Sequence, residues 1–125
     1  MAYDSQNIFA RILRGEIPCE KVYEDEHVLA FHDINPQAPV HILVIPKGPY
    51  QSLDDLAEKG SAAELASLLR AAGKIAREQG LDRSGYRILA NCGEDAHQEV
   101  PHFHIHIFGG RDLGRMLGRA HVRDS

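Results

Sequence analysis

Three histidines at alternate positions, His102, His104 and His106, dominate the chemistry available to this chain, which holds eight histidines in 125 residues. Successive side chains of an extended strand point to opposite faces, so these imidazoles share one face while Phe103, Ile105 and Ile107 share the other. The apolar face can pack. The imidazole face is costly as packing material, because each ring brings a donor and an acceptor that need partners once buried. Three chemistries compete for it. A tag or a pH-sensitive solvent face fits poorly, since a tag is terminal and does not alternate with Phe and Ile. A zinc site could use the two imidazoles of a His-x-His pair. The first and third Cα atoms, however, lie roughly 13 Å apart at ~3.3 Å per residue, so those two rings can hardly share one ion. A further ligand would have to come from His97, Cys92 or a distant carboxylate. The third chemistry is nucleophilic: a neutral imidazole attacks phosphorus while a neighbour fixes its tautomer. His104 suits this role, with a flanking imidazole roughly 6 to 7 Å away on each side.

Such a row of rings must be held by a sheet, and the rest of the chain supplies one. Ile8, Phe9, Ile12 and Leu13 recur at helical spacing and Gly15 follows as a terminator, which predicts a short first helix. Lys21–Tyr23 and Val28–Phe31, separated by Glu24-Asp25-Glu26, predict a hairpin. Between the punctuation of Asn35-Pro36 and Pro39 and that of Pro46 and Gly48-Pro49, His41–Ile45 forms an apolar run of strand length, expected to be central and buried. Ser61 to Gln79 shows helical periodicity, with Leu65, Leu68, Leu69, Ala72, Ile75 and Ala76 on one side and Gly80 at the end. Tyr86–Asn91 and His102–Phe108 read as strands flanking a polar loop from Cys92 to Pro101. The expected fold is one α+β domain spanning residues 1–125. Its core runs from about 8 to 116, with a mainly antiparallel five-stranded sheet, one short helix and one long helix. Residues 117–125 read as a tail, mobile or taken up by a partner.

Composition narrows the partners. Fourteen Lys and Arg against eighteen Asp and Glu give a formal net charge of −4, which offers no general attraction to nucleic acid or anionic membranes. Two cysteines, Cys19 and Cys92, form no CxxC pair and no disulfide framework, pointing to reduced thiols and a cytoplasmic location. No apolar run approaches the ~18 to 20 residues of a membrane helix, and Met1–Phe9 lacks signal-peptide character.

The run His102-Phe103-His104-Ile105-His106-Ile107-Phe108 matches His-φ-His-φ-His-φ-φ, the signature of the histidine triad superfamily. Ala30–Ile34, Pro36–Pro39, His41–Lys47 and Gly109–Arg111 resemble, in order, its Hint branch of purine nucleoside phosphoramidases, and the similarity runs from about Ile8 to Met116. The resemblance implies a homodimer whose sheets join across a twofold axis, with no cofactor and no bound metal. It implies cleavage of the P–N bond of purine nucleoside phosphoramidates, such as adenylated amines, through a nucleotidyl-histidine on His104. His102 and His106 would orient that ring and touch phosphate oxygens, and His41 would extend the relay. Ile8, Phe9, Ile12, Phe31 and Ile34 would form the wall that holds the base. Asp33 would accept the ribose hydroxyls, Asn91 would lie near ribose and phosphate, and Gln98 and Glu99 would approach the α-phosphate. His27, His32 and His121 are given no role.

Three departures from the family pattern stand out. Ala96-His97 precedes Gln98 where relatives usually carry glycine, so a side chain could alter how closely the backbone approaches phosphate. Glu99 occupies the place of a serine in animal members, which puts a carboxylate near the leaving amine. The segment Gly114–Arg119 lacks the tryptophan-containing end of those members. Two alternatives remain at this point: a non-catalytic nucleotide-binding regulator and a metal-dependent hydrolase.

Overall fold

The computed structural model describes residues 2–116. The tail expected at 117–125, and His121 within it, lie outside these residues. Helix α1 (Ile8–Leu13) starts because the Asn7 side chain accepts a hydrogen bond from the Ala10 amide, and it stops at Arg14, where Gly15 takes φ +80°. Strands β1 (Lys21–Glu24) and β2 (Val28–His32) form the expected hairpin, and β3 (Val40–Pro46) follows. Helices α2 (Leu53–Lys59) and α3 (Ala62–Glu78) come next, then strands β4 (Arg87–Leu89) and β5 (Ile105–Gly109). A full capping box, Ser61 with Glu64, opens α3. All strand pairs are antiparallel, in the order β1-β2-β3-β5-β4, so β3 lies at the centre as expected.

The sheet's two faces have different coverings. Val28, Ala30, Ile42, Val44, Ile105 and Ile107 point to α3 and bury against Leu68, Ala72, Ile75 and Ala76. Leu29, Phe31, Leu43 and Ile45 point the other way and pack with Phe9 of α1. A six-residue helix cannot cover that second face, and what it leaves open is a cleft floored by histidines.

Four expectations need correction. Helix α2 was not anticipated; its one buried residue, Leu56, leaves no apolar period to read over seven residues. Leu69 stands on the outer side of α3 and is 64 % exposed. The fourth strand spans only Arg87–Leu89. The last begins at Ile105, because the His102 amide turns back onto the Val100 carbonyl and the Phe103 amide bonds to the Tyr50 carbonyl, so neither joins the ladder.

Candidate active site

The consequence of that late start is that the three imidazoles do not form an open row. His102 is fully buried, at 0 % exposure, and His104 is 6 % exposed, while His106 is half-buried. Each ring has a distinct set of partners, and those partners assign its protons. His102 Nε2 lies 2.8 Å from the Pro46 carbonyl, which can only accept, so Nε2 carries the hydrogen. Its Nδ1 then accepts from the Tyr3 hydroxyl at 2.6 Å. His104 Nδ1 lies 2.7 Å from the His102 carbonyl, so it too must donate, and Nε2 of His104 keeps its lone pair. The Phe9 ring meets His104 edge-on at 4.9 Å between centroids and closes the side away from His106 with apolar surface.

The second pair is fixed from the loop before β3. The Gln37 amide donates to His41 Nδ1 at 3.1 Å, leaving the hydrogen on Nε2. His41 Nε2 lies 2.9 Å from His106 Nδ1 and 3.5 Å from an Asp33 carboxylate oxygen. With Nδ1 of His106 accepting, Nε2 of His106 becomes a donor, and this buried atom has no partner among the described residues. His104 and His106 rings are 5.0 Å apart. The site thus presents one basic nitrogen and one donating N–H side by side.

Burial holds all four rings neutral near pH 7. It pushes His102 down to about 4, against the pull of the Pro46 hydrogen bond, and it lowers His104 despite Asp33 and Glu99 nearby. His106 is pushed down to about 4 by burial and then by repulsion from the protonated forms of His104 and His41. His41 is lowered by burial, with Asp33 opposing.

Two adjoining hollows meet at His104 and His106. One, of about 450 Å³, is polar and is lined by Asp33, Gln37, His41, Asn91, His97 and Glu99 among others. The other, of about 340 Å³, is walled by Ile8, Phe9, Ile12, Phe31, Ile34 and Leu43, with Asp33 and Glu99 at its mouth. These volumes suit a flat apolar ring on one side and a polar group on the other. Among the described residues neither hollow is lined by a lysine or arginine.

Most of the residues singled out in the sequence converge here: His104, His106, His41, Asp33, Asn91, Glu99 and the five apolar wall residues line one hollow or both. Ile34 does so from the rim, 94 % exposed. Two do not reach the cleft. His102 spends both ring nitrogens behind it, so its ring cannot touch a phosphate, and only its backbone carbonyl meets His104. Gln98 turns inward: its Nε2 donates to the Gln51 and Val100 carbonyls and its Oε1 accepts from the Gly93 amide, which braces the loop. His97 faces the polar hollow with φ +59°, a left-handed conformation that glycine adopts freely and that a residue with a Cβ holds at some cost. The departure from glycine therefore keeps the glycine-like backbone path. Asp33 also serves its duller role, accepting from the Asn35 amide at 2.8 Å as a turn former.

Three participants carry no sequence signal: the Gln37 amide, the Pro46 carbonyl and the Tyr3 hydroxyl. The first two are backbone groups that any residue could supply. For metal, Asp33, His41 and His106 place ligand atoms within 4.8 Å of one another, so that a distant carboxylate, rather than His97 or Cys92, is the source of the further ligand named above that comes near the histidines. The two imidazole nitrogens, at 2.9 Å, are closer than the roughly 3.3 Å that two ligands at ~2.0–2.1 Å keep on a tetrahedral ion. As arranged, the pair is a hydrogen bond.

Comparison with known proteins agrees with this geometry. The HIT domain family model matches residues 14–113. A 13.2 kDa HIT-like protein of Azospirillum brasilense is 66 % identical over 115 residues, 92 % of this chain and 94 % of that one. The purine nucleoside phosphoramidase of Escherichia coli K12 is 44 % identical over 112 residues, 90 % of this chain and 93 % of the relative. Among solved structures, a HIT family hydrolase from Clostridium thermocellum superimposes with a TM-score of 0.84 at 40 % identity, covering 91 % of this chain and 99 % of that one.

Proposed function

This chain belongs to the HIT domain family, and from that premise we propose that it hydrolyses the P–N bond of purine nucleoside phosphoramidates. The observation that carries the proposal is the opposed protonation of two adjacent rings, His104 with a free Nε2 and His106 with an unpartnered Nε2–H. The similarity to a purine nucleoside phosphoramidase supports the substrate class.

In this reading the purine lies in the apolar hollow against Phe9, Phe31 and the Ile8, Ile12 and Ile34 side chains, where a flat ring buries well. Asp33, between the hollows, accepts the ribose hydroxyls, with Asn91 nearby. Phosphorus then sits before His104. Nε2 attacks it, an N–P bond forms as the P–N bond to the amine breaks, and the amine leaves with a proton drawn from solvent. The cationic ring created by this step is stabilised by the His102 carbonyl bonded to its Nδ1–H. His106 Nε2–H donates to a phosphoryl oxygen, and the Gln37–His41–His106 chain keeps that hydrogen in place. Water then attacks phosphorus, the N–P bond breaks and the imidazole leaves neutral; one proton of that water stays on the nucleoside monophosphate and the other returns to solvent, replacing the one the amine took. Glu99, with no cationic side chain beside it among the described residues of the cleft lining, favours a cationic leaving amine.

The same reading includes a homodimer. Strand β4 is a bare edge whose Ile88 is 48 % exposed, whereas the other edge, β1, is interrupted by a register shift that discourages pairing. A cytoplasmic location is in keeping with Cys19 and Cys92 as free thiols and with no described helix being long and apolar enough to cross a membrane.

The test is incubation with an adenosine phosphoramidate, followed by mass spectrometry of the quenched protein. Adenylate bonded to His104 is expected. Binding of adenosine monophosphate without turnover would leave a regulator instead, and turnover abolished by a chelator would leave a metal hydrolase.

A further inference from the structure

Behind the histidines, on the side away from the cleft, runs the segment before α1. Its place is set by three bonds: the Ala2 carbonyl accepts from Gln51 Nε2 at 3.0 Å, the Asn7 side-chain amide donates to the Asp4 carbonyl at 2.7 Å, and the Asn7 amide donates to the same carbonyl at 3.2 Å. Asn7 is itself buried. This strap delivers the Tyr3 ring against His102, edge-on at 5.7 Å between centroids, with its hydroxyl 2.6 Å from Nδ1. The opposite nitrogen of His102 is held by Pro46, so the ring is gripped at both ends.

We infer that Tyr3 is a positioning residue of the active site: its hydroxyl pins the buried His102 ring, and through the His102 carbonyl it holds His104 with Nε2 free for attack. The link is short, because the group that receives His104 Nδ1–H belongs to the residue Tyr3 grips. Pro46 alone fixes which nitrogen of His102 bears hydrogen, since a carbonyl accepts only. What Tyr3 adds is the second anchor. Without it Nδ1 is a buried acceptor with no donor, and residue 102, which lies outside the ladder, keeps one side-chain anchor in place of two. Tyr3 lines neither hollow of the cleft, so its loss leaves substrate contacts intact. This inference rests on His104 being the nucleophile.

Tyr3→Phe in the full chain keeps the aromatic contact and removes only the hydroxyl. Two measurements accompany it: kcat and KM on an adenosine phosphoramidate, and 15N–1H spectra of the imidazole nitrogens in the free protein. The expected result is a fall in kcat of roughly tenfold with KM unchanged, and His104 ring signals that move away from a pure Nδ1–H form toward an average of both tautomers. A variant that melts earlier but keeps wild-type His104 signals overturns the inference, whether or not kcat falls, because Tyr3 then acts as a structural strap or by another route. In the wild-type protein a slowly exchanging Tyr3 hydroxyl proton should show a cross-peak to the His102 ring, and its absence overturns the inference even if the variant does not fold. If the wild-type turns over no phosphoramidate, the proposed function fails while the ring signals still decide whether Tyr3 governs His104.

Discussion

The two faces of one sheet contrast sharply in this molecule. The α3 face is closed by a seventeen-residue helix and filled with Val, Ile, Leu and Ala together with Phe103. The opposite face meets a six-residue helix and exposes to the resulting gap a set of rings whose every proton is assigned by a neighbour. Both faces arise from the same alternation: Ile42 and Val44 face α3 while His41 and Leu43 face the cleft, and Ile105 and Ile107 alternate with His104 and His106. Stability and chemistry are therefore interleaved residue by residue, and substitutions should separate them cleanly.

The sharpest separation is His104→Ala, expected to lower phosphoramidate turnover by at least ~10⁴-fold, since of the four linked rings His41, His102, His104 and His106 it is His104 that presents a free nitrogen to the cleft. A variant retaining measurable single-turnover adenylation would break the contrast at its centre. Next, His106→Ala should slow kcat by roughly 10² to 10⁴, the range for a lost donor or acid–base group. Steady-state kinetics will tell, and an unchanged kcat would remove His106 from the mechanism.

On the other face, Ile75→Ala should cost about 2–5 kcal/mol of unfolding free energy, because Ile75 is fully buried beneath the sheet. Denaturant titration measures it, and kcat of the folded variant should match wild-type; a matching loss of kcat would mean the faces are coupled. A smaller stability effect comes from pH. His102 has a folded-state value of about 4, below that of an unfolded histidine, so between about pH 6.5 and 4 the unfolded chain binds the extra proton and stability falls as pH falls. For this fully buried ring the loss is about 3 kcal/mol, present at neutral pH and gone near pH 4, and it should vanish from the pH–stability curve of His102→Gln. The mildest change is Asp33→Asn, expected to raise KM roughly tenfold through a weaker acceptor for the ribose hydroxyls. A matching loss in kcat with constant KM would assign Asp33 to the His41 relay instead, from which it lies 3.5 Å.

Much of this was legible in residue order. The alternating run 102–107 named the face that borders the cleft, the hairpin and long helix lie where Val28–Phe31 and Ser61–Gln79 put them, and the apolar wall on α1 follows from Ile8, Phe9 and Ile12. The failures are physical rather than accidental. His102 has the same residue type and spacing as its neighbours, yet Pro101 and the bonds of residues 102 and 103 to the chain around 46–50 and 100 lift it out of the strand and into the interior. Gln98 carries an amide equally able to meet phosphate or brace a loop, and only the nearness of the Gln51, Val100 and Gly93 backbones decides for the loop. Leu69 follows the buried Leu68, and the turn of about 100° that one helical residue makes carries it away from the sheet.

Periodicity by itself determined which face of which strand carries chemistry and which carries the core, because alternation is a property of local backbone geometry. The protonation pattern that gives four neutral imidazoles one free nitrogen and one donating N–H at the cleft was decided only in three dimensions. Its determinants are the Gln37 amide, the Pro46 and His102 carbonyls and the Tyr3 hydroxyl. Most of these are backbone groups, which leave no trace in side-chain identity and act on a histidine only where the fold brings them within hydrogen-bonding distance.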